Sequence, residues 1–447
     1  MTDKANALPT KRFFLDNFIK DIGLEDAILD LADNSVDSIL RTYGIEISPD
    51  LLIDQNFQVP EDLPEPPLIR IQLSEDRFEI EDFGGGIEYD DAREIVFRFG
   101  RPEEYIKGLL GIYGIGLKRA VFKLGNNIEV ESRTPKSGFR VTFRVDEWAT
   151  DEDDWTFPMV RIDNADSLEE SGTRIVVTEL NDGVKLRINE GGFYKILADE
   201  LAETYSLFID RFLTIELNDE EISAAPLPIG ISDELVPGHE NYSWDAVNLE
   251  LFAGLAKRIN GKWSAARAGW YVLCNGRVVV SANKEKLTGW GSVGPAFQPK
   301  HRGFVGIAFF FSDDPTKLPW DTTKRGLDVE SRVYQLARKE MATLAKPVLS
   351  FLNSMYPSED LEEIFERDLA DELQEIAVVD LAKTPHKSFK IPDTFEIKKR
   401  RSTISIQYKA KTADVNKIKL HLDHPDWTAK QIGEYTFDYF LRMEIPG

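Results

Sequence analysis

Three short motifs, in a fixed order between Asp30 and Lys118, constrain this chain more than any other feature of it. DLADNSVDS (Asp30–Ser38) sits in a stretch whose apolar residues Ile28, Leu31, Ala32, Val36 and Ile39 recur at helical spacing. EDFGGGI (Glu81–Ile87) ends the alternating RFEIED, which reads as a strand. GIYGIGLK (Gly111–Lys118) runs into the helical pattern LKRAVFKLG, so its glycines open a helix. A fold that holds all three must mix helices with strands.

The residue types in these motifs have definite chemistry. Asp30 and Asn34 are four apart on a helix, so their side chains share a face about one turn apart, and Asp37 joins them. A hard cation such as Mg2+ takes oxygen ligands and keeps several waters, so one amide oxygen plus phosphates can hold it, which suits Asn34. A carboxylate one turn away can orient or deprotonate an attacking water, which suits Asp30. Asp82, at a strand end, can accept the exocyclic amine of adenine, and Gly84 and Gly86 beside it let backbone approach a base without a Cβ. Gly111, Gly114, Ile115 and Gly116 precede Lys118 at a helix start, where backbone N–H groups favour phosphate and the lysine adds positive charge. The glycine run is not a Walker A loop, because it lacks the adjacent Gly-Lys-Ser/Thr, nor a dinucleotide fingerprint, because Lys118 and Arg119 stand where a later glycine is required. Each motif alone has an ordinary alternative: a solvated acidic helix face, a tight turn after a strand, a glycine-rich turn. In this order they point to an ATP site.

The set resembles the GHKL ATPases, the superfamily of gyrase B, the large heat-shock chaperone, the histidine kinases, MutL and the MORC proteins. The family's E-x-x-x-N falls on Asp30 and Asn34, with aspartate one methylene shorter than the usual glutamate. Its D-x-G-x-G falls on Asp82, Gly84 and Gly86, its G-x-x-G-x-G on Gly111, Gly114 and Gly116, and its Gly-Thr before a strand on Gly172 and Thr173. The resemblance implies ATP and Mg2+ as cofactors, Asp30 as general base, Asn34 as metal ligand, Asp82 on adenine, and Ile87–Leu110 as an ATP lid. It also implies a Bergerat-type α/β sandwich followed by an S5-like transducer whose loop lysine reaches the γ-phosphate. WDTTKRGLD (Trp320–Asp328) lies between a strand and a long helix, as such a loop should, and Lys324 is the candidate. The pattern looks closest to MORC-like and related bacterial proteins.

Read along its length, the chain is α+β, with helices on one face of a mixed sheet. The expected organisation is an ATP-binding domain over 1–188, a transducer over 189–356, a charged helix and linker over 357–400, and a small α/β module over 401–447. One helix is expected from about Phe13 to Tyr43. FLTIELN, GWYVLCNG and RVVVSAN read as strands of the second unit, with a hairpin turn at Asn275–Arg277. In the last module, STISIQYKAK and KIKLHLD read as strands and TAKQIGEYTFDYFLRME as a helix.

Composition narrows the function. No apolar run is long enough to span a bilayer, no signal-peptide core begins the sequence, and the single cysteine, Cys274, excludes an internal disulfide, which together suggest a cytoplasmic protein. A net charge of −24 argues against general nucleic-acid coating, although Lys390–Lys411 forms a basic stretch. The resemblance then implies, as the leading expectation, an ATPase acting as a nucleotide-gated homodimeric clamp, on DNA or in a bacterial defence or genome-maintenance complex, with DNA or a partner protein contacted through the C-terminal region. The alternative is a chaperone-like or regulatory ATP-binding switch with little turnover, to which Asp30 in place of glutamate gives weight. A histidine kinase is disfavoured, because none of the five histidines precedes the site.

Overall fold

A computed structural model describes residues 10–20, 22–47, 66–100, 110, 114–321, 323–355, 369–376, 386–391 and 408–445. The chain divides into two compact units, Met1–Phe395 and Glu396–Gly447.

The first sheet of the larger unit contains β1 (Leu68–Leu73), β2 (Arg77–Asp82), β3 (Gly125–Arg133), β4 (Gly138–Arg144), β5 (Met159–Ile162), β6 (Gly172–Leu180), β7 (Thr214–Leu217) and β8 (Glu220–Glu221). Their order is β5-β4-β3-β6-β2-β1-β7-β8, antiparallel except for the β1–β7 pair. Strict alternation decides how this sheet is covered. Ile69, Ile71, Phe78, Ile80, Ile128, Val130 and Val177 are buried. The residues between them carry charge and pair across the strands, as Arg70 does with Glu81 at 3.3 Å and Glu216 at 3.1 Å. One face is therefore apolar and takes helices while the other stays polar, giving a two-layer sandwich. The helices are α1 (Lys11–Lys20), α2 (Leu24–Thr42), α3 (Tyr89–Asp91), α4 (Gly116–Leu124), α5 (Val145–Trp148) and α6 (Asp182–Ile188), followed by α7 (Phe193–Thr204) and α8 (Ser206–Arg211). Of these, α2 packs on α4 and on β1 and β2.

The second sheet has the order β13-β12-β14-β11-β9-β15, with β10 paired to β11. Its strands are β9 (Ile229–Ile231), β10 (Gly238–Trp244), β11 (Val247–Ala256), β12 (Gly269–Cys274), β13 (Arg277–Asn283), β14 (Phe304–Phe311) and β15 (Gln374–Glu375). Every residue of β12 and β14 is buried. α7 and α8 pack against β13, and the long α9 (Arg332–Met355) packs against β10, β11 and β14. A strand covered on both faces reads as a continuous apolar run, which is how FVGIAFFF reads.

Three expectations need correction, and one hairpin had no local signal. The single helix over Phe13–Tyr43 is two, because Gly23 is extended (φ −72°, ψ 166°) and caps α2, its N–H donating to Asp26 Oδ2 at 3.2 Å. Thr214–Leu217, read as part of the second unit, pairs parallel with β1 and extends the first sheet. The β10–β11 hairpin went unread because its turn uses Asp245 (φ +49°) and Ala246 (φ +66°) in place of an Asn-Gly signal. In the smaller unit, KIKLHLD is not a strand: α10 spans Thr412–His421 and α11 spans Ala429–Glu444. Asp414 in the first turn of α10 and Lys419 and His421 in its last match the helix dipole, a signal stronger than the short I-x-L-x-L alternation. Most of STISIQYKAK lies outside the described residues.

Candidate nucleotide site

One stripe of α2, at positions 30, 33, 34 and 37, is polar, and it is not a solvated face. Asp30 is 6% exposed, Asp33 0% and Asp37 7%. Buried carboxylates require partners, and each of these has one from a different part of the fold.

Asp30 pairs with Arg119 of α4, Oδ2 to Nη2 at 2.6 Å. Burial pushes its pKa up, and the cations of Lys324 and Arg119 offset this only in part, so it titrates above the ordinary carboxylate range. Asn34 Nδ2 donates to the Asp30 carbonyl at 2.8 Å, which leaves the amide oxygen as the end not used in that bond. Asp37 Oδ1 accepts the Leu110 N–H at 2.8 Å, so Asp37 ties α2 to the chain just before the glycine motif.

Asp33 is the hub. Its Oδ1 accepts from Arg277 Nε at 2.9 Å and from the Tyr205 hydroxyl at 2.8 Å, and its Oδ2 accepts from Lys324 Nζ at 2.6 Å. Arg277 Nη1 also donates to the Lys324 carbonyl at 2.6 Å. Lys324 is thus held at both ends while its backbone sits in the left-handed region (φ +56°). Burial raises the pKa of Asp33, but Arg277 and Lys324 outweigh it, and the group titrates below the usual range. Arg277 follows a two-residue turn in which Asn275 (φ +46°) and Gly276 (φ +81°) join β12 to β13.

At the other end of the site, Asp82 closes β2. Burial lifts its pKa to about 6, against hydrogen bonds from Gly84 N–H to Oδ1 at 3.0 Å and Ser35 Oγ to Oδ2 at 3.1 Å. Each carboxylate oxygen has two lone pairs, so capacity remains for an amine donor. Thr173 lies directly across from Asp82 in the β2–β6 register, and its hydroxyl meets Ser132 Oγ at 2.9 Å. The glycines here are required by close approach. A Cβ on Gly84 would stand 2.6 Å from Ser38 Oγ and 2.8 Å from Ile39 N, and one on Gly86 (φ +76°) would stand 2.1 Å from the Arg133 carbonyl.

Gly111 lies outside the described residues. Gly114 adopts φ +64°, Ile115 is the N-cap of α4, and Gly116 begins that helix so close to α2 that a Cβ there would sit 3.4 Å from Asp30 Cγ. The first turn of α4 therefore stands over Asp30, as a phosphate-binding helix start would. Lys118 differs from expectation. It is buried, and its Nζ donates to the Val96 carbonyl at 2.9 Å and to the Gly114 carbonyl, fastening the start of the expected lid to the glycine turn. Lys324 also differs: its loop position is as expected, but its ammonium rests on Asp33.

The chemistry fits a nucleotide with a divalent cation. Around Asp30 the buried ion pairs bring Arg119 to Asp30 and both Arg277 and Lys324 to Asp33, so cations stand close to the helix face that Asn34 shares. Among the described residues no cluster of three or more His, Cys, Asp or Glu is arranged to hold a metal. A cation at Asn34 would therefore draw most of its oxygens from phosphate and water. Sequence reasoning missed Asp33, Arg119, Arg277 and Tyr205. The spacing 30, 33, 34, 37 held the signal for Asp33, since all four positions form one stripe. Nothing local marks its partners.

These residues belong to a two-layer α/β domain in which one helix carries Asp30 and Asn34 and a strand end carries Asp82. Residues 22–173, about a third of the chain, match the family model described as histidine kinase-, DNA gyrase B-, and HSP90-like ATPase, which supports the GHKL superfamily for this part. A comparison with curated proteins finds none that matches. No helix among the described residues is long and apolar enough to cross a membrane.

Proposed function

We propose that this protein binds ATP with Mg2+ on α2 and hydrolyses it, using nucleotide occupancy to set the position of the second sheet and to gate association of two copies. The observation that carries this reading is the gathering of Arg119, Arg277 and Lys324 beside Asn34 and the first turn of α4. When bound, the magnesium ion would draw charge off the phosphates. Asn34 would hold it through the amide oxygen. Asp82 would orient adenine through its amine, with Thr173 beside it. Asp30 would position water and take its proton, and a raised pKa makes it the stronger base. Lys324 would leave Asp33 for the γ-phosphate, so that an anion bound on this face of α2 changes what holds the second sheet. Only a difference in affinity between the two arrangements shifts their populations.

Titration with a non-hydrolysable ATP analogue tests the reading. Binding is expected to require Mg2+ and to weaken about 10- to 100-fold in Asn34→Ala, the equivalent of one contact to a charged group at about 1.5–3 kcal/mol. No magnesium-dependent binding to the wild-type protein would refute it.

Asp82 gives the site a pH signature. An amine donor prefers the ionised carboxylate, so affinity is expected to fall as pH drops through about 6. Binding near that pH should release protons, measurable as a dependence of calorimetric heat on buffer ionisation enthalpy. Affinity that is level from pH 5 to pH 8 would remove Asp82 from the adenine contact.

The second reading, a switch with little turnover, is favoured by one contact. Asp30 is both a methylene short of the family's glutamate and paired through Oδ2 to Arg119 at 2.6 Å, so a guanidinium already offsets the charge of the base.

A further inference from the structure

Lys11 puts a charge where the fold would ordinarily exclude one, because its side chain is fully buried. Its ammonium lies 4.0 Å from the centre of the Trp148 ring and 5.7 Å from that of Trp155. It donates to the Trp148 carbonyl at 2.8 Å and to the Asp154 carbonyl. Its backbone N–H donates to Glu152 Oε2 at 2.8 Å. A buried charge persists only where it is well partnered, and a desolvated cation over tryptophan is among the stronger contacts of this kind. The first turn of α1 is thereby pinned to the chain that follows α5, and α1 itself packs on α4. No step proposed for the nucleotide uses Lys11.

The two tryptophans lead toward the candidate nucleotide site. Phe99 stands edge-on to Trp155, with ring centres 5.6 Å apart, and its ring lies 6.0 Å from Trp148. The chain reaches Phe99 from a π-helical turn at Ala92–Val96, a wide turn that recurs at functional positions. Trp148 and Phe99 both meet Phe122 of α4. The Trp148 indole N–H has no hydrogen-bond partner among the described residues, so packing and the Lys11 ammonium hold that ring. A second buried ammonium, that of Lys118, lies 5.9 Å from the Phe99 ring and bonds the Val96 and Gly114 carbonyls. One aromatic cluster is therefore tied to α1 by Lys11 and to the glycine turn by Lys118. We propose that Lys11 is a positioning residue for the nucleotide site: through Trp148, Trp155 and Phe99 it fixes Val96–Phe99, and through the bonds of Lys118 it fixes the turn at Gly114. This rests on the reading of that turn and the start of α4 as the place where phosphate binds.

Hydrogen exchange without nucleotide, and titration of the non-hydrolysable ATP analogue with Mg2+, test this together in the full chain. In Lys11→Ala the amides of Val96–Phe99 and of the first turn of α4 should exchange faster. The analogue should bind about 2- to 30-fold more weakly, the usual reach of a coupled residue that touches no ligand. n-Propylammonium replaces the deleted part of the side chain with its charge and should restore binding. n-Propanol, of similar shape without the charge, should not. Leu349→Ala is a core truncation in α9 that leaves these contacts intact, so it should bind as the wild type does despite lowered stability. Trp155→Leu removes a half-buried ring from the same cluster and no charge, so it serves as the second variant if Lys11→Ala does not fold. It should weaken binding in the same direction. Unchanged affinity in both variants, a loss matched by Leu349→Ala, or equal rescue by n-propanol would overturn the proposal. A wild type that binds no analogue would sink the ATP reading, whereas unchanged exchange at Val96–Phe99 in the variants would sink the role of Lys11 by itself, so the two failures are told apart.

Discussion

Replacing Asp33 with alanine is expected to lower the stability of the protein by about 3–5 kcal/mol, the cost of leaving buried charge without its partner. The carboxylate is fully buried and serves Arg277, Lys324 and Tyr205 together. Arg277 is buried and an arginine keeps its charge, so it carries most of the penalty. The double variant D33A/R277M should therefore recover most of the loss, which a simple cavity at Asp33 would not allow. Urea unfolding measures both, and a loss under about 1 kcal/mol in Asp33→Ala would show that the hub does not hold the fold. The pH sign follows from its lowered pKa. A depressed folded value contributes stability that is present above the unfolded carboxylate range and is lost as pH falls through the lower folded value. The wild type should lose stability over that acid window, and the alanine variant should lack that component.

Turnover should depend on Asp30 more than on any other side chain. Asp30→Ala is expected to lower kcat by about 10²- to 10⁴-fold, the usual worth of a positioned general base, while Mg-dependent binding of the ATP analogue persists. The wild-type rate should rise with pH as Asp30 loses its proton above the ordinary carboxylate range, and this rise should vanish in the variant. Asp30→Glu restores the missing methylene and is expected to raise kcat. If Asp30→Ala hydrolyses ATP as fast as the wild type, the base lies elsewhere. If neither turns over above buffer while both bind, the switch reading is the correct one.

The parts of this site legible in the sequence are those whose chemistry is local. Asp82 followed by Gly84 and Gly86 is readable because a glycine is needed where backbone presses on a neighbour, as Gly84 does on Ser38 and Ile39 and Gly86 on the Arg133 carbonyl. Asp30 and Asn34 are readable because four residues make a helical turn. Long-range pairing was not readable. Lys118 looks like a phosphate lysine from its place before a helix, and only the fold shows its ammonium on the Val96 carbonyl. Lys324 sits on the expected loop, and only the fold shows Asp33 beneath it. The same limit applies to β7: its sequence reads as a strand, but nothing in Thr214–Leu217 says that its neighbour is β1.

The Asp33 hub also limits how such a chain can be recombined. Its two cationic partners lie 244 and 291 residues further along, so the three positions are distant in the gene and adjacent in the protein. A crossover between Asp33 and Arg277, with a relative whose second sheet is held in another way, would deliver Arg277 and Lys324 without their acid, or the acid without them, and one between Arg277 and Lys324 would separate the lysine alone. Productive chimaeras must therefore cut outside that interval or exchange all three together. In lineages that diverge freely elsewhere, these three codons should change in concert.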